Sequence, residues 1–407
     1  MWLRIKIAIR NAFRNQRRSL LSVFMIASAV ASIVVFEGFT YNMVEGLRET
    51  TIETQTGHLQ LALDSFWEKS NSQPKKNLIT NYDQLLKEIK KDTRVKFVSG
   101  RLEFFGLLSK DDASISARAV TIDPGKEKSR NRYFRFKSGV ALDEARPLQI
   151  AVGSGLAKKL GINAKDNVSF LTHTYDGVVN AMDFEVSGIF QTDISEFDDN
   201  TLLVPLATAQ KLLDTHFVEQ IVVGLHSSWD TTAYKEALRP AVASLAPQVR
   251  IKTWFQLATL YKQVSVFNKI QNTLVKLILF SLVLLSIANT VGMSIMERTG
   301  EIGTLRALGE HRKSVVVQFL SEGFFLGLCG ALIGAACGIL IAYLFNSLNI
   351  PVVFPGASSP IYIKIEILGS SVVKASFLGI FITVLAALLP AYRASKMNIV
   401  QALRHNI

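Results

Sequence analysis

The sequence predicts an α-helical membrane protein with four transmembrane helices, one plus three, and a large α+β domain of two subdomains inserted between the first and second. Three observations predict it. The apolar residues are gathered into four long blocks almost free of charge, basic residues cluster at alternate block ends, and the segment between the first two blocks switches to the short periodicities of a water-exposed domain.

Of the 407 residues, 49% are hydrophobic, and mean hydropathy is positive. About 20 apolar residues cross some 30 Å of hydrocarbon. Block 19–41 carries only Glu37, near its outer end; 277–296 and 323–345 carry no charge; 375–392 contains Pro390 and extends through 369–373 past Lys374, which can snorkel. With their approaches, the spans run over 19–41, 269–296, 314–345 and 370–392.

Lys and Arg are retained on the cytoplasmic side. Arg4, Lys6, Arg10, Arg14, Arg17 and Arg18 precede the first span, whereas Glu37, Glu45, Glu49 and Glu53 lie at and beyond its other end. The loop 297–313 holds Arg298, Arg306, Arg312 and Lys313, and the tail 393–407 holds Arg393, Lys396 and Arg404; the loop 346–369 has only Lys364, balanced by Glu366. The termini and the loop 297–313 are therefore expected inside, and residues 42–268 outside. A cleaved signal peptide is the competing reading of the start, but the apolar stretch is longer than a signal core and Ala27, Ala29 and Ala31 lie in its middle. Within residues 1–18, Trp2, Ile5, Ile9 and Phe13 recur at helical spacing opposite Lys6, Arg10, Arg14 and Arg17, which describes either a helix in the inner membrane interface or a plain topology signal.

In the outer domain, 58–63, 94–109, 114–122, 167–173, 184–190, 201–205, 220–226 and 250–254 read as strands, and 82–91, 206–214 and 231–246 as helices. The domain has no cysteine. Cys329 and Cys337, both in the third span, are about 12 Å apart on a helix and read as packing residues. His58, His173, His216 and His226 have no metal-ligand spacing, and Gly153–Gly161 lacks the phosphate-loop register and reads as a turn and short helix, so no metal, cofactor or catalytic site is expected. The net charge of +12 sits largely at the inner face, where lipid phosphate accounts for it, so nucleic acid is not an expected partner.

Residues 297–309 read as a short amphipathic helix with Ile302, Leu305 and Leu308 in a stripe flanked by Glu297, Arg298, Glu301 and Arg306; it suits either a partner's groove or an interfacial connector. In the third span Gly323, Gly327, Gly330, Gly334 and Gly338 allow close approach of a helix from this chain or a second subunit.

The segment Met296-Glu-Arg-Thr-Gly-Glu-Ile-Gly-Thr-Leu-Arg-Ala-Leu-Gly309 resembles the coupling helix of FtsX/MacB-type ABC transporter permeases, and Pro390-Ala-Tyr-Arg-Ala-Ser-Lys396 with Gln401-Ala-Leu-Arg404 resembles their C-terminal tail. Residues 10–20, Thr56-Gly-His-Leu-Gln60 and Gly153–Gly161 resemble the LolC/LolE lipoprotein-releasing branch. The resemblance implies a non-catalytic permease in a bacterial inner membrane with a periplasmic domain. It pairs with an identical or homologous second permease and with two copies of a separate ATPase, which alone binds ATP and Mg. The absence of a Walker motif fits that arrangement and argues against MacB itself, whose ATPase is fused. Glu297, Arg298, Glu301, Ile302, Leu305, Arg306, Leu308 and Gly309 would then meet the ATPase. A lipoprotein's acyl chains would pass along Val34, Phe36, Phe39 and Met43 on one side and Val266, Ile270 and Leu274 on the other, toward a periplasmic carrier. Regulation of a periplasmic hydrolase or sensor, or export of a peptide or small molecule, are the alternatives.

Overall fold

A computed structural model describes residues 16–67, 77–125, 127, 134–192, 194–352 and 361–397. Most of the predicted N-terminal helix, and the tail beyond 397, lie outside them. The chain forms two compact units: Met1–Val44, Val264–Ile350 and Tyr362–Ile407 in one, Glu45–Gln263 and Pro351–Ile361 in the other.

Among the described residues, four helices, lying wholly or mostly in the first unit, are long and apolar enough to cross a membrane: Gln16–Thr51, Thr259–Glu297, Arg312–Ser347 and Gly369–Ser395. Only a helix satisfies its own backbone in hydrocarbon, and these sequences are rich in Leu, Ala, Val and Ile throughout. The second helix has 39 residues, about 58 Å at 1.5 Å per residue, so it extends well past roughly 30 Å of hydrocarbon. Apart from Asn268 near its start, its buried residues Val283, Ile287, Val291 and Ile295 fall every fourth position, a single ridge. Only 17% of its apolar window is buried, against 56% for the first helix, which makes the first helix central and the second peripheral.

The glycine row of the third helix packs within the chain. A Cβ at Gly323 would stand 3.2 Å from Ala387 Cβ, and one at Gly327 3.1 Å from Thr383 Cβ, both on the fourth helix. At Gly330 it would meet Ile26 Cβ at 2.6 Å, at Gly334 the Ala27 carbonyl oxygen at 2.5 Å, and at Gly338 Val34 Cβ at 3.1 Å, all on the first helix. One stripe of glycines therefore seats two neighbours in turn.

Residues 297–309 do not form one helix. Glu297 ends the second span, Arg298 leaves helical geometry at φ −109° and ψ 17°, and Thr299–Ala307 forms a separate connector helix. It stops before Gly309, whose φ of 96° suits glycine.

The longer strands of the second unit are β1 (Leu59–Leu63), β2 (Val95–Arg101), β3 (Glu103–Lys110), β4 (Ala113–Ile122), β5 (Arg135–Gly139), β6 (Gln149–Gly153), β7 (Asn167–His173), β8 (Val179–Gln191), β9 (Thr201–Pro205), β10 (Gln220–Leu225) and β11 (Val249–Thr253). A four-stranded sheet has the order β11-β1-β10-β2, antiparallel throughout. Helices Tyr82–Ile89 and Thr231–Leu245 bury Leu85, Ile89, Leu238 and Val242 in one core with Leu59, Leu61, Ile221 and Val223, which gives a split βαβ arrangement of the ferredoxin type. The second sheet has the order β5-β8-β6-β9-β4-β3-β7, and β7 also pairs with β8, so the strands from β8 round to β7 close into a ring. Its interior holds Phe104, Leu108, Ile150, Phe170, Phe184 and Leu202.

The single strand expected over 94–109 is two: Leu102 divides β2 in one sheet from β3 in the other. The strand expected over 184–190 is the end of the longer β8, whose first half pairs with β7. β6, buried at every position, offers no alternation for sequence reasoning to detect.

Gly334→Leu should destabilise the protein by about 1–3 kcal/mol, because its side chain must displace backbone of the first helix. Gly292→Ala, with nothing within 4 Å, should be neutral or stabilising. Thermal unfolding in detergent measures both, and matching losses would refute this packing.

Candidate functional site

The connector helix divides the predicted coupling residues into those that anchor it and those that it presents. Ile302 is buried in the bundle core with Ile295, Val315 and Phe319. Leu305 is 42% exposed and Leu308 80%. The predicted stripe is thus not one surface: its first member faces inward with the first half of the connector, where Thr299, Gly300, Ile302 and Gly303 are buried. Arg298 also turns inward, its Nη1 3.0 Å from Glu322 Oε1, with the side chains 11% and 8% exposed. Removing one partner from so buried a pair costs about 3–5 kcal/mol. Glu297 pairs with Arg18 at 2.5 Å, and Arg306 Nη1 donates to the Glu310 carbonyl at 3.2 Å. Glu322, just before the uncharged block 323–345, was not among the residues singled out from the sequence. Its signal was its place on the same helical face as Val315, Phe319 and Leu326.

Toward the other end of the first two helices, Glu37 forms an ion pair with Lys276, and Asn272 Nδ2 donates to Thr40 Oγ1 at 3.0 Å. Polar groups so near lipid are costly unless paired. Val266, Ile270 and Leu274 are exposed at four-residue spacing on the second helix, while Phe36, Phe39 and Met43 are partly buried. Val34 departs from this group: it is 3% exposed and packs toward Gly338 inside the bundle, so it cannot line an outer surface.

In the domain unit, the first helix ends in a π-turn, Ile52–Thr56, whose Ile52, Glu53, Thr54 and Thr56 are buried. Gly57 follows at φ 63°, where a Cβ would come 2.4 Å from Val222 Cγ1. Lys96 Nζ pairs with Glu53 at 2.9 Å. Arg101 donates from Nη1 to the Gln55 carbonyl at 3.2 Å and from Nη2 to Glu127 Oε2 at 3.1 Å. Burial lowers the Arg101 pKa to about 10, which leaves it cationic at neutral pH. Glu219 joins the two segments that cross between the sheets: its N–H donates to the Arg101 carbonyl at 3.0 Å, and its Oε2 accepts from the Glu103 N–H at 3.1 Å.

His58 and Ser228 resemble a catalytic dyad by distance but not by proton. The Leu225 N–H donates to His58 Nδ1 at 3.0 Å, so Nε2 carries the hydrogen and donates to Ser228 Oγ at 3.0 Å. A ring already donating to the serine cannot accept its proton. Among the described residues no cluster of metal-ligating side chains occurs.

Burial pushes His58 down from 6.5 to about 4, so the fold holds it neutral and loses stability as pH falls from 6.5 toward 4. Burial pushes Glu219 up from 4.5 to about 7; its contribution is full below 4.5 and is lost as pH rises through 7. The two effects, each about 3 kcal/mol at most, oppose between pH 4.5 and 6.5. Glu219→Gln should therefore steepen the drop in melting temperature between pH 7 and pH 5; an unchanged difference would rule out the opposition.

Residues 19–241, more than half of the chain, match the MacB-like periplasmic core domain, and residues 274–399 match the FtsX-like permease C-terminal family. The lipoprotein-releasing system transmembrane protein LolC of Neisseria meningitidis serogroup B is 24% identical over 274 residues, covering 63% of this chain and 65% of that protein. The macrolide export ATP-binding/permease protein MacB of Campylobacter jejuni subsp. jejuni is 23% identical over 423 aligned positions, covering 98% of this chain and 60% of that protein. The chain thus spans less than two thirds of the length of either relative. The solved periplasmic region of MacB from Actinobacillus actinomycetemcomitans is 12% identical, covers 52% of this chain and 95% of that one, and superposes with a TM-score of 0.39, too low to carry weight. Four apolar helices in a one-plus-three order around an inserted α+β domain, with family matches over both parts, place the chain: it belongs to the FtsX/MacB family of ABC-transporter permeases, multi-pass membrane proteins with a large periplasmic domain.

Proposed function

We propose that the protein transmits force from a cytoplasmic ABC ATPase to its periplasmic domain, working with two ATPase copies and a second permease, identical or homologous. The observation that carries this reading is the wiring of the small sheet. β1 begins three residues after the π-turn that ends the first helix, and β11 ends where Thr253 caps the turn leading into the second. These two strands are direct neighbours, with Leu59 opposite Thr253 and Leu63 opposite Val249. The His58 carbonyl also accepts from the Trp254 N–H at 3.0 Å. Both helices thus lead to the same end of one antiparallel ladder. Joint movement of the helices carries the sheet as a body, and their separation must unzip it.

The cargo we favour is an acyl-anchored lipoprotein, released from the inner membrane toward a periplasmic carrier. The exposed row Val266, Ile270 and Leu274, together with Phe36, Phe39 and Met43, offers apolar surface for acyl chains beside the second span. The likeness to LolC supports this cargo. A second reading, export of a small molecule, is favoured by the alignment with a macrolide exporter over 98% of the chain.

ATP and Mg are then held by the ATPase, and this chain is the non-catalytic subunit. The ATPase-facing surface is the presented part of the connector, Glu301, Leu305 and Leu308, with Arg306 and Gly309 at its end.

In mild detergent an ABC ATPase should co-purify with the wild-type protein and be lost with Leu308→Asp at unchanged melting temperature, whereas Ile302→Asp should lower the melting temperature. Intact co-purification of Leu308→Asp would sink the docking surface. Depletion should leave lipoproteins in the inner membrane; normal sorting with altered drug sensitivity would favour export instead.

A further inference from the structure

We propose that the Arg298–Glu322 pair is the rigid anchor that passes load from the connector helix into the third span; this positioning role rests on the force-transmitting reading above. Arg298 is the one residue between the second-span helix and the connector: its φ of −109° and ψ of 17° bend the chain there, while its N–H donates to the Ile295 carbonyl at 3.1 Å and its carbonyl accepts from the Ile302 N–H at 3.0 Å. A single non-helical residue is a swivel. A push on Leu305 and Leu308 would turn the connector about this point unless something else held it.

Glu322 supplies the hold. It is the only acidic residue in the helix Arg312–Ser347 and lies on the buried face, next to Val315, Phe319 and Leu326. A carboxylate so buried at a membrane-spanning helix is expensive without a compensating cation, and the Arg298 guanidinium is 3.0 Å away. The hinge residue is therefore itself the clamp. Burial of Ile302 in the same core gives a second fixed point, so the connector cannot rotate about the ion pair alone.

The location of the anchor decides where load goes. Glu322 immediately precedes Gly323, the first glycine of the row that seats the fourth helix at Thr383 and Ala387 and then the first helix at Ile26, Ala27 and Val34. A displacement of the connector thus enters the third helix at the start of its tightest packing and is handed to the first helix.

Hydrogen exchange on the full-length protein in detergent tests the anchor without any ATPase. Glu322→Gln, which keeps shape and removes charge, should speed exchange of the amides of residues 299–307 by about tenfold while leaving β1–β11 at wild-type rates. The swap Arg298→Glu with Glu322→Arg should return exchange toward wild type. An E322Q protein indistinguishable from wild type, or a swapped protein exchanging as fast as E322Q, overturns the anchor. With the co-purified ATPase and ATP plus vanadate, E322Q should keep ATPase binding and lose the nucleotide-driven change in exchange at β1 and β11. A response at β1 and β11 equal to wild type overturns the transmission role. Failure of any ATPase to co-purify with wild type instead counts against the proposed function, and the exchange comparison still decides the anchor.

Discussion

Inside hydrocarbon, apolar side chains gain nothing by hiding from a solvent that is itself apolar, so helices associate through close contact and dispersion. The glycine stripe of the third span meets that constraint in this protein. Without side chains at Gly330 and Gly334, the backbone of the first helix approaches within contact distance, and the fourth helix does the same at Gly323 and Gly327. Three helices interlock, and the second lies against them along one ridge. The inner anchor, the central placement of the first helix and the path from connector to domain all presuppose that interlock.

Within the second unit, the end of the first helix is held differently. There the holding groups are hydrogen bonds and buried charge: the β1–β11 ladder, Lys96 on Glu53, and Arg101 between the Gln55 carbonyl and Glu127. Each is short and directional, and the Arg101–Glu127 pair is almost fully buried at 3% and 0% exposed, which stiffens the joint between helix end and sheet. Arg101 and Glu219 lie at the two crossings between the sheets, so the same polar cluster that holds the helix end also holds the inserted ring of strands.

Much of the architecture was legible in the sequence because its signals are long and strong: uncharged blocks of membrane length, one-sided basic clusters, and alternation in strands such as β1 and β7. The glycines were legible as a close-approach face, but not their partners, since spacing in one helix says nothing of which neighbour fills it. The connector was harder. Periodicity placed Ile302, Leu305 and Leu308 on one stripe but could not tell that the stripe's first member turns into the bundle. Arg298 read as a surface charge because its partner Glu322 lies 24 residues away, beyond any local pattern. β6 was missed although β9 and β10, buried at every position like it, read as strands, and the division at Leu102 was missed because extended sequence resumes at once on either side of Ser99-Gly-Arg-Leu-Glu103.

The ring of strands is spliced into the smaller sheet between β2 and β10. The strands that continue into the spans, β1 and β11, belong wholly to the smaller sheet. The inserted ring can therefore be lengthened, reshaped or exchanged without altering the two strands that continue into the spans, so a single four-helix frame is able to carry outer domains of different size.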